Sequence, residues 1–267
     1  MMICIFDCET IPDIDLIMQT FETNKKNELE IIKEAQEQYA KEKNTTFFPL
    51  PYHKLVALSA VIADEFGRFI KVGDFGEGQD DEESIIRHFF RFVEEKNPKL
   101  ISFNGRGFDM PMLLIRAMRY NISFPAWFDQ SNPMLNKTKW ENYRQRFAEG
   151  FHMDLLDSMG SFGAVRNLKL DTLCTMAGIP GKYDVSGDQV LDLYYDDKLD
   201  LIKEYCQSDV LNTYWLYLKY ELLRGDLALP DYYSFLQTMR DNLPPLGYHK
   251  PFTDAIEQEL GKYEDLQ

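Results

Sequence analysis

The sequence predicts an α/β protein in which a mixed β-sheet is flanked by helices. Three observations support this fold class. The 267-residue chain is 45% hydrophobic and 14% aromatic, which is enough apolar material for one large core. Apolar runs of strand length come first in the chain. Strands then alternate with helical patterns, an order typical of a mixed sheet with helices packed on it.

Three strands are predicted early in the chain. Residues 3–6 form a short apolar run that ends in an acidic pair, and residues 54–63 have the continuous apolar character of a buried central strand. The turn at 64–67 leads into residues 68–75. We expect this segment to pair with the central strand as a hairpin.

Helices and one further strand alternate in the rest of the chain. An acidic linker over residues 77–83 precedes them, and Asn97-Pro98 ends the first helix. The predicted elements are, in order, a helix over 84–96, a strand over 100–103, a helix over 109–120 and a long helix over 200–224.

Residues 1–267 are predicted to form a single domain with two insertions and an extension. The first insertion, over about residues 15–46, is highly charged with one apolar helical face, which favours a surface helix; a lid is the alternative. The second, over about 125–150, interrupts the pattern with prolines and a glycine. Residues from about 225 to 267 form the C-terminal extension.

The net charge of the chain argues against some classes of function. With 44 acidic and 29 basic residues the net charge is -15. A basic surface is typical of proteins that hold nucleic acid non-specifically, so this charge argues against tight binding of a nucleic-acid backbone. Divalent cations in a carboxylate site would neutralise part of the charge locally.

Cysteine usage and hydropathy predict a cytoplasmic location. The four cysteines, Cys4, Cys8, Cys174 and Cys206, form no CxxC pair, so neither a zinc site nor a disulfide framework is indicated. No apolar run has the length of a membrane span, and the first residues do not have the pattern of a signal peptide. We therefore expect a soluble protein with no membrane partner.

Two acidic residues follow the first strand at alternate positions. In an extended strand alternate side chains share a face, so Asp7 and Glu9 are expected to point the same way, about 6 to 7 Å apart. Cys8, between them, is expected to face away from the site into the core. A metal ion could then lie between the two carboxylates.

Three more residues are candidates for the same site. Asp109 follows a glycine-containing turn after a strand, where polar side chains are often presented at a sheet edge. Tyr205 and Asp209 are four residues apart in the long helix, so their Cβ atoms are about 5 to 6 Å apart on one face. Each of the three motifs has a structural alternative: a solvated strand end for Asp7 and Glu9, an N-cap for Asp109, and core packing and a surface charge for Tyr205 and Asp209. If all three motifs had only these structural roles, their occurrence together would require three independent coincidences.

Four carboxylates in one pocket predict bound cations. Like charges would raise one another's pKa values unless positive charge balanced them. The candidate ligands are oxygen atoms only, which favours Mg²⁺ or Mn²⁺ over Zn²⁺. Two such ions about 3.5 to 4 Å apart can activate an attacking water and stabilise the leaving oxygen of a phosphate. The predicted chemistry is phosphodiester hydrolysis.

Three segments also carry a family resemblance. They are Phe-Asp-x-Glu-Thr-Ile-Pro at 6–12, Phe-Asn-Gly-Arg-Gly-Phe-Asp-Met-Pro at 103–111 and Tyr-x-x-x-Asp-Val-Leu-Asn-Thr at 205–213. In this order they resemble the Exo I, Exo II and Exo III motifs of DEDD 3′-to-5′ exonucleases. The third resembles the tyrosine subgroup, since the other subgroup has His-x-x-x-x-Asp and position 204 is Glu. The residues within and around these motifs are similar to those of stand-alone exonucleases related to the proofreading domain of family B DNA polymerases.

The resemblance covers most of residues 1–224 and implies a fold, a site and a reaction. The fold is ribonuclease H-like, a mixed five-stranded sheet flanked by helices. The implied reaction releases mononucleotides from a free 3′ end of DNA or RNA, most simply a single strand. We expect no attached polymerase and hence no proofreading in cis. Tyr205 is implied to position the attacking water, and two Mg²⁺ or Mn²⁺ ions are implied to be held by Asp7, Glu9, Asp109 and Asp209.

Further residues are candidates for substrate contact. Thr10, Asn104 and Phe108 lie next to the acidic positions and are expected to flank the terminal nucleotide. Asp154 ranks second to Asp109 as the acid of the second motif and is expected to be mostly structural. Residues 137–146 combine basic and aromatic side chains that could hold a single strand, or form a solvated loop: Lys137, Lys139, Trp140, Tyr143, Arg144 and Arg146.

Two other classes of function stay open at this stage. A phosphatase that uses Asp7 as a covalent nucleophile would also have an acid two residues later, although that acid is normally an aspartate and position 9 is Glu. A catalytically inactive module that binds nucleic acid or a basic protein is the second alternative. Trapping of an aspartyl-phosphate would favour the first, and binding without cleavage would favour the second.

Overall fold

The computed structural model describes residues 1–76, 81–181 and 187–264. Part of the predicted linker at 77–83 therefore lies outside the described residues. Within these ranges the predicted mixed five-stranded sheet is confirmed, with the order β3-β2-β1-β4-β5. The strands are β1 (Ile3–Pro12), β2 (His53–Ala63), β3 (Phe69–Asp74), β4 (Lys99–Ser102) and β5 (His152–Asp154).

The sheet combines antiparallel and parallel pairs. β2 is antiparallel to both β1 and β3, whereas β4 is parallel to β1 and β5 is parallel to β4. The carboxyl ends of β1, β4 and β5 therefore point to the same edge of the sheet. Side chains that follow these strands are brought together at that edge.

Helices cover both faces of the sheet. The predicted helices at 84–96, 109–120 and 200–224 agree with α3, α4 and α9 to within two residues. The helices are α1 (Ile14–Thr20), α2 (Glu28–Lys43), α3 (Glu82–Lys96), α4 (Asp109–Arg119), α5 (Pro125–Phe128), α6 (Leu155–Met159), α7 (Leu170–Ala177), α8 (Val190–Tyr195), α9 (Leu199–Arg224), α10 (Leu229–Asn242) and α11 (His249–Glu264).

Alternate residues of β1 pack into two different cores. Ile3 and Ile5 lie in a core with residues of α9, α10 and α11. Cys4 and Phe6 lie in a second core with residues of α3 and α4. Because successive side chains of a strand point to opposite faces, the sheet separates two helical layers. Side chains can thus approach the end of β1 from either layer.

β1 is longer than the apolar run predicted. The prediction ended at Phe6, but residues 7–12 continue to pair with β2. Backbone pairing does not require apolar side chains, so the apolar run underestimates the strand. β1 pairs with β4 only over residues 3–5, and its second half projects beyond β4. The register shifts after Glu9, an irregularity of the kind that often occurs beside active sites.

The first insertion forms two helices, so the prediction of one surface helix within residues 15–46 is wrong in this respect. α1 ends at Thr20, and Asn27 starts a new helix by accepting a hydrogen bond from the amide of Glu30 at 3.1 Å. The insertion forms a small core together with the adjacent Phe48. This core packs on α8 and contains Ile17, Ile31, Ile32, Ala35 and Phe48.

The second insertion has little regular structure beyond α5 and a single 3-10 turn. Arg106 holds it to the sheet. Its guanidinium donates to the backbone carbonyls of Tyr143, Gln145 and His152 at 3.1, 3.0 and 2.6 Å. One side chain in the loop before α4 therefore fixes the path of a segment about 40 residues later.

The C-terminal extension is continuous with the main core. Tyr232 of α10 accepts a hydrogen bond from the indole of Trp215 and donates one to Glu259 of α11, each at 2.9 Å. Tyr248 donates to the side chain of Gln207 in α9 at 2.7 Å. These bonds are buried, so α10 and α11 support the position of α9.

A buried ion network ties the first insertion to α3 and α4. Arg116 donates to Asp13, which caps α1, at 2.6 Å, and to both oxygens of Glu82. Burial alone would raise the pKa of Asp13, but the hydrogen bond and charge of Arg116 outweigh it and lower that pKa. Glu82 also accepts from the amide of Leu55 in β2 at 2.8 Å.

We predict that Arg116→Ala lowers the free energy of unfolding by about 3 to 5 kcal/mol, because it leaves the buried Glu82 without its cation and Asp13 with only the partly exposed Arg119. Arg91→Ala is the matched control, since Arg91 pairs with Glu95 on an exposed helix surface. Its loss should cost about 0.5 kcal/mol or less. Urea unfolding of both variants measures the difference, and equal losses would contradict a role for the network.

Candidate active site

Asp7 and Glu9 lie on the face of β1 that is covered by α9. They pair with Ser59 and Ala57 of β2. Their carboxylate oxygens and the sulfur of Cys206 in α9 all lie within 4.8 Å of one another. The prediction that the two acids share a face is confirmed.

Tyr205 and Asp209 reach the same acids from α9. The Tyr205 hydroxyl hydrogen-bonds the carboxylate of Asp209, as expected for residues one helical turn apart. The side chain of Tyr205 is only 4% exposed. Burial, followed by the charges of Asp209, Glu9 and Asp7, raises the pKa of Tyr205 far above its usual range, so this phenol stays protonated.

Asp109 is the first residue of α4 and comes from the other helical layer. The N-cap of α4 is Phe108, which makes no capping hydrogen bond, so the N-cap alternative for Asp109 is wrong. The loop before it is tight. Asn104 has φ 69°, in the left-handed region that Asn tolerates, and a Cβ on Gly105 would lie 2.5 Å from Cβ of Ser102.

Asp154 at the end of β5 holds this loop in place. Its carboxylate accepts hydrogen bonds from the amides of Asn104 and Arg106, each at 2.8 Å, and from that of Leu156 at 3.0 Å. These contacts commit its carboxylate oxygens to backbone donors. Asp154 therefore supports the loop that presents Asp109.

The prediction that Cys8 faces away from the site is wrong. It faces away from Glu9, as predicted, but not away from the site, because Asp109 approaches from that side of the sheet. The amide and the thiol of Cys8 both donate hydrogen bonds to the Asp109 carboxylate. Burial, and then the charge of Asp109, raises the pKa of the Cys8 thiol well above its usual range. The thiol thus stays protonated and acts as a donor.

The acids strongly perturb one another. Burial raises the pKa of Asp7 well above its usual range, and the charges of Asp109, Glu9 and Asp209 raise it further. Asp109 is 3% exposed, and burial raises its pKa to about 7. The four predicted ligands therefore lie close enough for Asp7 to interact electrostatically with the other three. Their oxygen atoms fit hard divalent cations, which would restore the ionised state of these carboxylates.

Cys206 is a component of the site that the sequence analysis missed. Its thiol donates to the backbone carbonyl of Asp7 at 3.4 Å. Burial and the charges of Asp7 and Glu9 raise the pKa of this thiol well above its usual range, so it is a donor and a poor ligand for a hard cation. Its position directly after Tyr205 on the helix was the only sequence signal.

A cleft of about 820 Å³ opens beside the acids. Glu9, Thr10, Asn104 and Phe108 line it, so the three predicted substrate contacts lie together next to one of the acids. The Thr10 hydroxyl hydrogen-bonds Nδ1 of His53 at 2.9 Å. Residues of the first insertion and of the segment that directly follows it form another part of the wall: Lys33, Gln36, Phe47 and Phe48.

The basic stretch at 137–146 is divided by the fold. Lys137 and Tyr143 are buried; the ammonium of Lys137 donates to the carbonyl of Ala126 at 2.9 Å, and the phenol of Tyr143 donates to that of Pro98 at 2.7 Å. Both the strand-binding interpretation and the solvated-loop alternative are wrong for these two residues. The exposed members are Lys139, Trp140, Arg144 and Arg146, of which Arg146 pairs with Asp157 at 2.6 Å.

Comparison with known proteins identifies the family. Residues 45–258, well over half of the chain, match a family described as "Predicted 3'-5' exonuclease related to the exonuclease domain of PolB". The chain belongs to this family. The match includes Asp109, Tyr205 and Asp209, while Asp7 and Glu9 precede it. Membership agrees with the ribonuclease H-like fold implied by the motifs and with the observed sheet.

Individual relatives are polymerases that are much longer than this chain. A DNA polymerase of Archaeoglobus fulgidus is 25% identical over 70% of the chain and 23% of its own length. The catalytic subunit of DNA polymerase epsilon from Aspergillus fumigatus is 28% identical over 52% of the chain and 6% of its own length. The structure of the family B DNA polymerase from the hyperthermophilic archaeon Pyrobaculum calidifontis aligns with 96% of this chain and 27% of its own, with TM-score 0.49 and 18% identity.

Among the residues that the structure describes, every helix is too short or too polar to cross a membrane.

We predict that, without metal, the protein loses stability as pH rises from about 4 to 7. A carboxyl whose pKa is raised by folding binds its proton more tightly in the folded state, so its contribution is lost as the pH passes the folded-state value. In chelator, Asp109→Asn should therefore exceed wild type in unfolding free energy at pH 8 by roughly 1 to 4 kcal/mol, with little difference at pH 4.

Asp241→Asn is the matched control, because Asp241 is an exposed carboxylate outside the site. Urea unfolding at the two pH values in chelator measures the effect. The same pH dependence in wild type and Asp109→Asn would show that Asp109 is not responsible. Addition of Mn²⁺ should reverse the order of stability at pH 8, since only wild type keeps the full set of carboxylates.

Proposed function

We propose that this protein is a metal-dependent 3′-to-5′ exonuclease that removes mononucleotides from single-stranded DNA or RNA. The observation that carries the proposal is the electrostatic interaction among Asp7, Glu9, Asp109, Tyr205 and Asp209, beside the cleft that Glu9 lines. These residues come from three distant segments and from both helical layers. Family membership supports the same reaction class.

The carboxylates have the chemistry of a divalent metal site. Asp7 is the central residue of the proposed site, because its pKa responds to all three other acids. We assign Asp7, Glu9, Asp109 and Asp209 as the residues that would hold two Mg²⁺ or Mn²⁺ ions. When bound, these ions would supply the positive charge that activates water and stabilises the phosphate during hydrolysis.

Tyr205 is suited to orienting the attacking water. Its hydroxyl proton is donated to Asp209, which leaves the lone pairs of the phenol oxygen to accept a hydrogen bond from a water. Because its pKa is raised, the phenol does not serve as a base near neutral pH. Its proposed contribution is geometric: it holds the water in line with the scissile bond.

The cleft is suited to the end of a strand. Asn104 is exposed at its rim and Phe108 is partly buried in its wall, next to the first residue of α4. An aromatic ring and an amide at this distance from the acids can contact the base and sugar of the terminal nucleotide. The overall negative charge of the chain favours weak backbone binding and product release over tight retention.

The first test uses a 5′-labelled single strand with Mg²⁺ or Mn²⁺. We predict a ladder of shortened products with wild type and its loss, by about 1000-fold or more, with Asp7→Ala or excess chelator. Asp64→Ala, a substitution in the exposed β2–β3 turn, is the control for an unrelated acid. A ladder of products that persists unchanged in Asp7→Ala would contradict the proposal. Trapping of an aspartyl-phosphate on Asp7 would instead support the phosphatase.

The second test concerns Tyr205. Tyr205→Phe should lower kcat by about 10- to 100-fold, because the phenol oxygen can no longer orient water. The midpoint of a Mn²⁺ titration followed by thermal stability should stay within about twofold of wild type. Since the phenol is not the base, the pH profile of kcat should keep its shape. Equal losses of activity and metal affinity would show that Tyr205 is structural.

A further inference from the structure

A second cavity adjoins the cleft at the loop that presents Asp109. Its volume is about 470 Å³, and it shares Asn104 and Gly107 with the cleft. The two cavities therefore meet at one short loop. The remaining walls of the second cavity come from α4, α5 and the second insertion, which contribute Met110, Trp127 and Arg144, among other residues.

Arginine is the most frequent side chain around this second cavity. Arg106, Arg144 and Arg146 line it together with two acids, Asp154 and Asp157. The whole chain has 44 acidic and 29 basic residues, so a cavity in which basic side chains outnumber acidic ones differs from the rest of the protein. A local excess of positive charge in a concave surface attracts anions.

The two aspartates are already engaged by the protein. Asp154 accepts hydrogen bonds from three backbone amides. Asp157 forms a bidentate pair with the guanidinium of Arg146, at 2.7 and 2.6 Å. Among the residues that the structure describes, neither carboxylate forms an ion pair with Arg106 or Arg144. The charges of these two arginines are thus without a direct acidic partner.

Arg106 contributes a fixed positive charge to the cavity. Its terminal nitrogens donate to backbone carbonyls, and its buried Nε has no hydrogen-bond partner among the described residues. Burial lowers the pKa of Arg106 to about 10, so the guanidinium stays charged at neutral pH. Because its terminal nitrogens hold the second insertion to the sheet, Arg106 attracts an anion mainly through its charge.

Arg144 is the side chain that can bind an anion directly. It is exposed, and its guanidinium lies over the ring of Phe128, 5.2 Å from the ring centroid. Contact with a ring face orients a guanidinium and leaves its N–H donors free at the edge. Within the described ranges, no side-chain nitrogen of Arg144 donates to a protein acceptor.

A phosphate is the anion that suits this arrangement. The planar fork of a guanidinium matches two phosphate oxygens, and such charge-assisted pairs are stronger than neutral hydrogen bonds. A strand whose 3′ end occupies the cleft carries one phosphate per nucleotide as it continues in the 5′ direction. The loop shared by the two cavities places Arg144 beside the exit from the cleft.

We propose that the second cavity is a subsite for a backbone phosphate of the substrate, which Arg144 binds and the charge of Arg106 attracts. The inference rests on the proposed function and gives the second insertion a role in substrate binding. A phosphate contact carries no preference among bases. It contributes affinity only when the strand is long enough to reach it.

The test compares Arg144→Ala with wild type on strands in which one phosphate is replaced by a neutral methylphosphonate. The replacement is placed in turn at the second, third and fourth linkages from the 3′ end, and release of the first nucleotide is measured. In wild type, the replacement should raise KM about fivefold at one of these linkages, because a charge contact is lost. Arg144→Ala should raise KM of the unmodified strand by the same factor, and the replacement should then have no further effect at that linkage.

Binding without turnover gives a second readout, with Asp109→Asn as the background. In anisotropy measurements on a fluorescent strand, Arg144→Ala should reduce the slope of log K against log salt by about 0.7, the value for one phosphate contact with a single strand. Arg144→Lys should keep the wild-type slope, since it keeps the charge. Arg240→Ala is the matched control, because it removes one positive charge from α10 in the other helical layer.

Two results would overturn the subsite. One is an equal effect of the methylphosphonate in wild type and Arg144→Ala at all three linkages. The other is that Arg144→Ala weakens competition by a free mononucleotide but not binding of the strand, which would assign the cavity to the product. The absence of any ladder with wild type would instead count against the proposed function, and the salt dependence of binding would still decide the role of Arg144.

Discussion

Crowding of negative charge at the end of β1 is the constraint on which the rest of this structure depends. Asp7 and Asp109 both have raised pKa values, through burial and neighbouring carboxylates. Such a pocket opposes folding unless protons or cations balance it. The surrounding fold must therefore be rigid enough to hold the carboxylates together. The chemistry proposed for the site depends on the same repulsion, because repulsion between the carboxylates favours the binding of divalent cations.

The two helical layers together hold the carboxylates at one sheet edge. α9 brings Tyr205 and Asp209 to one face of β1, and α4 brings Asp109 to the other. Both helices pack on buried cores, so the positions of these side chains follow from the packing. Donors that are not ligands refine the arrangement: the thiols of Cys8 and Cys206 bind a carboxylate and a carbonyl, respectively.

The C-terminal extension and the first insertion also contribute to the candidate site. α10 and α11 support α9 through buried hydrogen bonds, including that of Tyr248 with Gln207. Gln207 donates to Asp74 at 3.0 Å, and Ser59, which pairs with Asp7, donates to the same carboxylate at 2.7 Å. A polar chain thus connects the C-terminal extension with β2 beside the acids. The first insertion contributes to the wall of the cleft.

The sequence by itself determined the fold class, the helices α3, α4 and α9 and the residue types of the candidate site, because periodicity and local motifs are properties of neighbouring residues. Tertiary structure decided the rest. Pairing with β2 extended β1 beyond its apolar run, and the approach of α4 made Cys8 a donor to Asp109. Burial of Lys137 and the placement of Phe47 depend on contacts between distant segments, for which a linear pattern carries no signal.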